Sequence, residues 1–173
     1  SYITFFQDMG VFLKEGVTHD WNNREKLADL LLFQSTKTES GKFTTLGQYV
    51  EQMPADQKEI YYLTGETREL MEQSPHLEAF KSKGWEVLLM DQPIDEFLVD
   101  GLPTFKEKRL KAVDKEGVDS GTVDEEKKQK FQNLLEYFKK QIPEIKDAKL
   151  SQRLKESAVC LVADQAGMTA NME

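Results

Sequence analysis

Two apolar runs constrain this chain most: Lys58-Glu-Ile-Tyr-Tyr-Leu-Thr-Gly65 and Gly84-Trp-Glu-Val-Leu-Leu-Met-Asp-Gln-Pro-Ile-Asp95. Neither alternates polar with apolar residues. Such a run suits a strand covered on both faces, as in a parallel sheet packed between helices. Each ends in a turn signal and is followed by a helical pattern, so the pair predicts one βαβ unit with strands over Ile60–Leu63 and Trp85–Met90. No catalytic constellation sits on that frame, which points to a rigid docking or coupling module.

Around this unit the periodicity predicts helices. Tyr2, Phe5, Phe6 and Met9 fall at helical spacing, with Gly10 placed to end that helix. Leu27, Leu30 and Leu31 form a second stripe, for which Asp20, Asn22 and Asn23 are candidate caps. Gln34 to Lys42 reads as a polar loop. Thr45 with Gln48 makes a capping box ahead of Leu46, Tyr49, Val50 and Met53, and Pro54 ends that helix. A short helix is predicted near Thr67–Gln73, and another starting at Ser74-Pro75, with Leu77 and Phe80 inward and Gly84 as its stop. Pro93 starts a helix over Ile94, Phe97 and Leu98. Phe105 and Leu110–Val113 read as short edge strands.

The charged stretch Asp114 to Lys128 is the clearest seam. A second capping box, Thr122 with Glu125, precedes a stripe of Phe131, Leu134, Leu135, Phe138 and Ile142 that Pro143 stops. Lys146–Leu150 and Ala158–Ala163 read as two strands that could pair. The expected fold class is α/β (α+β overall): a helical coil over 1–56, a small α/β/α sandwich with a largely parallel sheet over 57–116, and over 117–173 a linker and the truncated start of an α+β domain. The opening without Met and the ending at Asn171-Met172-Glu173 suggest a piece of something longer.

Charge and composition exclude several classes. A net charge of -8 repels phosphates, so neither nucleic acid nor an anionic membrane is expected as partner. No apolar stretch approaches the roughly 20 residues of a membrane span. The single cysteine, Cys160, precludes an intrachain disulfide and fits a reducing, cytoplasmic setting. It lies in Ala158-Val-Cys-Leu-Val162, where a small buried apolar residue is the ordinary reading. His19 and His76 have no ligand partners at metal spacing, so no metal site is expected. No glycine-rich phosphate loop occurs.

Two acidic features carry chemistry worth weighing. Val87-Leu-Leu-Met-Asp91 with Pro93 resembles a phospho-acceptor strand, so the rival reading is a receiver-like domain, or metal-assisted phosphoryl transfer at Asp91 and Asp95. That chemistry needs an acidic pair after the first strand and a converging lysine, whereas Ile60–Leu63 ends in Thr64-Gly65. The second feature is Asp95, Glu96, Phe97 and Asp100. The plain reading is a solvated face around one buried aromatic. The sharper one is a polypeptide-binding surface, where the ring offers area and the acids attract basic segments.

A wider pattern joins these pieces. Leu13-Lys-Glu-Gly-Val17, Leu27-Ala-Asp-Leu-Leu31 with Phe33, Ser35 and Thr36, Leu46-Gly-Gln-Tyr-Val50 with Met53, the tyrosine-rich strand, Ser74-Pro75, Glu86-Val-Leu-Leu-Met90 with Ile94-Asp-Glu96, Ser151 with Arg153-Leu154, and Asn171-Met172 run in order along the chain. The set resembles the heat-shock protein 90 family of ATP-dependent molecular chaperones, bacterial members above all. The resemblance implies the later middle domain and the start of the C-terminal dimerisation domain. It implies ATP and Mg in the full-length protein but none bound by this stretch, since the ATPase domain and the catalytic arginine lie upstream. No catalytic residue is therefore assigned. It implies a homodimer in full length, unfolded or partly folded client proteins as partners, and room for co-chaperones. Client contact would map to Glu96, Phe97 and Asp100. Many members have tyrosine or tryptophan at the Phe97 position, and many have arginine where this chain has Leu32.

Overall fold

The computed structural model describes residues 1–115 and 125–163. Along them run α1 (Tyr2–His19), α2 (Arg24–Asp29), β1 (Leu32–Ser35), β2 (Thr44–Thr45), α3 (Leu46–Gln52), β3 (Ile60–Thr64) and α4 (Arg68–Glu72). A 3-10 turn at Pro75–Leu77 leads into α5 (Glu78–Lys83), followed by β4 (Val87–Met90), α6 (Ile94–Gly101), β5 (Thr104–Phe105), β6 (Lys108–Ala112) and α7 (Glu125–Gln141). The strands form one mixed sheet in the order β2-β1-β4-β3-β6-β5. Its centre, β4-β3-β6, is parallel, with Tyr61 opposite Val87 and Leu63 opposite Leu89. The outer pairings, β1 with β2, β1 with β4 and β5 with β6, are antiparallel.

Every residue of β3 and β4 is buried, as their unbroken apolar runs require. Because alternate side chains leave opposite faces of a strand, the runs build two cores at once. Ile60, Tyr62, Leu88 and Met90 pack with Phe6, Val17, Tyr49 and Leu98 on one face. Tyr61, Leu63, Val87 and Leu89 pack with Met71, Leu77 and Phe80 on the other. Leu88 is fully buried, and truncating such a leucine costs about 2–5 kcal/mol.

The short helices α3, α4 and α5 begin and end where the sequence signals them, whereas α2 stops at Asp29, leaves Leu30 and Leu31 of the expected stripe beyond its end, and has a cap, Asn23, that makes no side-chain bond. The Thr45 hydroxyl accepts from the Gln48 N–H while the Gln48 side chain accepts from the Thr45 N–H, completing the capping box. Thr67 caps α4, Ser74 caps the Pro75 turn, and Gly84 ends α5 in the left-handed region at φ 69°. That φ favours glycine, which has no Cβ to clash with the following carbonyl.

Three further expectations change. α1 does not stop at Gly10. The glycine sits inside the helix because a Cβ there would lie 2.9 Å from the Phe6 ring, so it provides close packing instead of a break. Gln34 and Ser35 are strand, not loop: Arg68 donates to the Gln34 side chain and the Ser35 carbonyl, and β4 takes the backbone. β1 and β2 thereby extend the sheet that β3 and β4 begin. Residues 146–150 and 158–162 form no strands. Ala163 makes a single parallel bridge to Lys115. The α7 stripe is helical as predicted, with Phe131, Leu134 and Ile142 exposed. Thr122 of the second capping box and most of the charged seam lie outside the described residues.

Candidate polypeptide-binding site on α6

Pro93 stands immediately before α6 as its cap, and its fixed φ suits a helix entry. Asp95 holds the turn before it: its carboxylate accepts from the Gln92 N–H at 3.2 Å, and its own N–H donates to the Gln92 carbonyl at 2.9 Å. The buried side of the helix is Asp95, Leu98, Val99 and Leu102, the i, i+3, i+4, i+7 pattern of a core-facing stripe. A carboxylate occupies the first core position because Lys14 of α1 meets it. Lys14 Nζ lies 2.6 Å from Asp95 Oδ1 and donates to Gln92 Oε1 at 2.9 Å. The Phe33 ring centroid is 5.5 Å from the ammonium. Lys14 is 4% exposed and Asp95 1%. Burial raises the Asp95 carboxyl above its ordinary value, and Lys14 opposes the rise.

The three predicted contact residues part company here. Phe97 lies about 200° around the helix from Asp95, at 3.6 residues per turn, and points away from the core. It is 60% exposed. Glu96 and Asp100 are one turn apart on another side. Their charges, with that of Asp114, act on the Tyr62 phenol, whose acidity burial has already suppressed most. Glu96 is buried and Asp100 exposed. The plain expectation of solvated acids around a buried ring is thus reversed: two acids turn inward and the ring turns out. The reason is the Lys14 ammonium, which lets Asp95 take the core slot that a sequence reading gives to Phe97.

The rival site is also visible. Asp91 and Asp95 line a cavity of about 170 Å³ beside Lys14. A lysine does converge there, but it is locked onto Asp95 inside the fold, and β3 ends in Thr64 and Gly65 without an acid. Among the described residues no three His, Cys, Asp or Glu gather at metal-binding distance. A second cavity, about 380 Å³, is lined by Thr36, Glu69, Glu72, Gln73 and Lys81. Two carboxylates to one lysine is a set that repels a triphosphate, so these residues do not fit ATP.

Beyond the sheet, residues 151–157 lie against the α5 side. Arg153 is buried and donates to the Val113 carbonyl at 3.0 Å and the Lys115 carbonyl at 2.7 Å. Glu78, the first residue of α5, accepts the N–H groups of Lys155, Glu156 and Ser157 and the Ser157 hydroxyl. A profile of the Hsp90 protein family matches residues 1–173.

This chain belongs to the Hsp90 family.

Among curated relatives, the chaperone protein HtpG of Geobacter sulfurreducens is 49% identical over 183 residues, covering 100% of this chain and 28% of that protein. HtpG of Bdellovibrio bacteriovorus is 44% identical over 184 residues, covering 100% of this chain and 29% of its own length. The chain therefore spans a little over a quarter of the relatives it matches. A solved structure of the middle domain of a Plasmodium falciparum heat shock protein superposes with a TM-score of 0.61 at 39% identity, covering 64% of this chain and 46% of that one. The Hsp90 chain thus has a mixed α/β fold that matches an Hsp90 middle domain. No helix among the described residues is long and apolar enough to cross a membrane.

Sequence reasoning missed Lys14, Arg68, Glu78 and Arg153 as organising residues. Two of them lie in stretches that carried the resemblance, Leu13-Lys-Glu-Gly-Val17 and Ser151 with Arg153-Leu154, so a signal existed. It named no partner, because the partners stand on elements remote in the sequence.

Proposed function

We propose that this Hsp90 chain contacts client polypeptides through Phe97 and couples an upstream ATP-driven clamp to a downstream dimer base. The observation that carries the reading is the geometry of α6. One side is fixed to α1 by the buried Lys14–Asp95 pair, and the opposite side presents a large ring to solvent. A rigid aromatic anchor with acids nearby suits weak, broad capture of unfolded or partly folded polypeptide. Asp100 supplies exposed negative charge. Glu96, being buried, acts through its field and not by contact.

In the full-length protein, ATP and Mg act in an N-terminal domain outside this chain, and a C-terminal domain makes the homodimer. Segments 1–56 and 57–116 belong to the middle domain, and 117–173 is the linker and start of the dimerisation domain. Rigid-body rotation about the seam passes nucleotide state to the client surface. The setting is the cytoplasm, and co-chaperones are compatible with this surface.

The test is binding of a fluorescein-labelled unfolded polypeptide to the chain, with and without Phe97→Ala. Weakening by about five- to tenfold, at unchanged circular dichroism, supports the reading. Equal affinity for both proteins removes Phe97 from it.

A further inference from the structure

Phe97 is not the sole exposed ring on its side of the fold. α1 ends at His19, and Trp21, just beyond it, is 72% exposed. The Arg24 guanidinium lies over the Trp21 ring, 4.6 Å from its centroid. Arg24 Nη1 in turn donates to the Gly101 carbonyl at 2.7 Å. Gly101 follows Phe97 at i+4, so the two share one side of α6, about 6 Å apart along its axis.

The helices approach closely at this point. A Cβ on Gly101 would lie 3.1 Å from the Thr18 Cα, which is backbone and cannot yield. Thr18 closes a stripe on α1 with Val11 and Glu15, at i, i+4, i+7, and both of those are exposed. The α1 stripe thus borders the Phe97–Gly101 side of α6, and Trp21 extends the same lip past the end of α1. Exposed acids flank it: Glu15, Asp20 and Asp100. Arg24 is the cation among them, turned onto the indole and a carbonyl; its single charge leaves the three acids in excess.

We propose that Trp21, propped by Arg24, is a second aromatic anchor of the polypeptide-binding surface centred on Phe97. The lip takes an extended segment in which apolar side chains are flanked by lysine or arginine. This inference rests on the Phe97 reading. Two physical facts argue for it. An indole this exposed contributes little to the fold, yet the stacked guanidinium holds it in place, which lowers the entropy lost when a partner covers it. Tryptophan and arginine are also the residue types that carry most binding energy at interfaces. The acids select the partner's charge, since like charges across an interface repel.

The test uses the whole chain and two short fluorescein-labelled peptides, one with leucines spaced by lysines and one with those lysines replaced by glutamates. Anisotropy titrations compare the unaltered chain, Trp21→Ala, Arg24→Ala, Phe97→Ala and the Trp21→Ala/Phe97→Ala double variant, each with a thermal melt. Support is preference for the lysine peptide, about fivefold weaker binding in Trp21→Ala at unchanged melting temperature, and protection of Trp21 from iodide quenching by the peptide. Weakening by Phe97→Ala but not by Trp21→Ala overturns the second anchor and leaves the proposed function standing. Equal affinity for both peptides overturns the charge preference. No binding of either peptide overturns both readings together.

Discussion

Glu78 and Ser157, far apart in sequence, are joined by both the Ser157 N–H and its hydroxyl, which donate to the same carboxylate. The N–H groups of Lys155 and Glu156 complete the cluster at 2.5 and 2.8 Å. A run of backbone donors converging on one anion is strongest when that anion is ionised. These hydrogen bonds hold the Glu78 carboxyl down to about pKa 2, from an ordinary value of 4.5. A depressed carboxyl favours the docked arrangement at pH above 4.5, where it is ionised in both docked and released states. That preference fades as pH falls toward 2. The amide proton shifts of Lys155, Glu156 and Ser157 should therefore titrate with a midpoint near pH 2. In Glu78→Gln they should not titrate, and their exchange at neutral pH should be several-fold faster. Identical exchange in the two proteins would show that the segment is held by something else.

Arg153 is the second clasp on the same segment. Its planar fork spans two carbonyls, Val113 and Lys115, at the end of the sheet. A lysine presents one nitrogen where these contacts use two, so it cannot match both in the same geometry. Arg153→Ala leaves those carbonyls without their charged donor, at a cost of about 1.5–3 kcal/mol. Limited proteolysis should then cut first within 151–163, and Arg153→Lys should restore only part of the resistance. Full restoration by lysine would mean that charge alone, not the fork, does the holding.

Lys14 and Asp95 make a signed pH prediction. Burial raises the Asp95 carboxyl above 3.8, so the folded state binds that proton more tightly than the unfolded chain does. The group's contribution to stability is therefore greatest below the unfolded value and declines as pH rises past it. Lys14 limits the decline by pairing with the carboxylate. Lys14→Met removes that limit and leaves an uncompensated buried charge, with a loss of about 3–5 kcal/mol at neutral pH. Urea melts should show a larger deficit at pH 7 than at pH 4, and Asp95→Asn in the same background should recover much of it. A deficit independent of pH would exclude the ion pair as its cause.

These residues also mark where the sequence was readable. β3 and β4 were legible because burial on both faces imposes an unbroken apolar run, and the caps at Thr45, Ser74 and Gly84 were legible because they act within about one turn of themselves. β1 was not. Its polar Gln34 and Ser35 are satisfied by Arg68 and Glu86, which belong to later parts of the chain. Gly10 was misread because close approach and chain termination use the same residue. At the candidate site, α6 and its start were evident, but the direction of Phe97 was not: it depends on Lys14, which stands on another helix far upstream. The surface was thus recognised as a set of residue types before its orientation could be known.

Gly101 links the packing of α6 to its proposed use. In an ordinary helix, glycine to alanine gains up to about 1 kcal/mol in propensity, and less at this last position. Here the new methyl meets Thr18 at 3.0 Å to Cγ2 and 3.1 Å to Cα. Overpacking of that kind costs about 1–3 kcal/mol, so the clash wins and Gly101→Ala destabilises. Separating the helices also draws the Gly101 carbonyl from Arg24, which frees the Trp21 ring. Peptide affinity should fall together with melting temperature. Adding Thr18→Ala should recover only part of both, because it removes Cγ2 and leaves Cα. A more stable Gly101→Ala protein would show that α6 can shift without strain and that this crossing does not set the position of either ring.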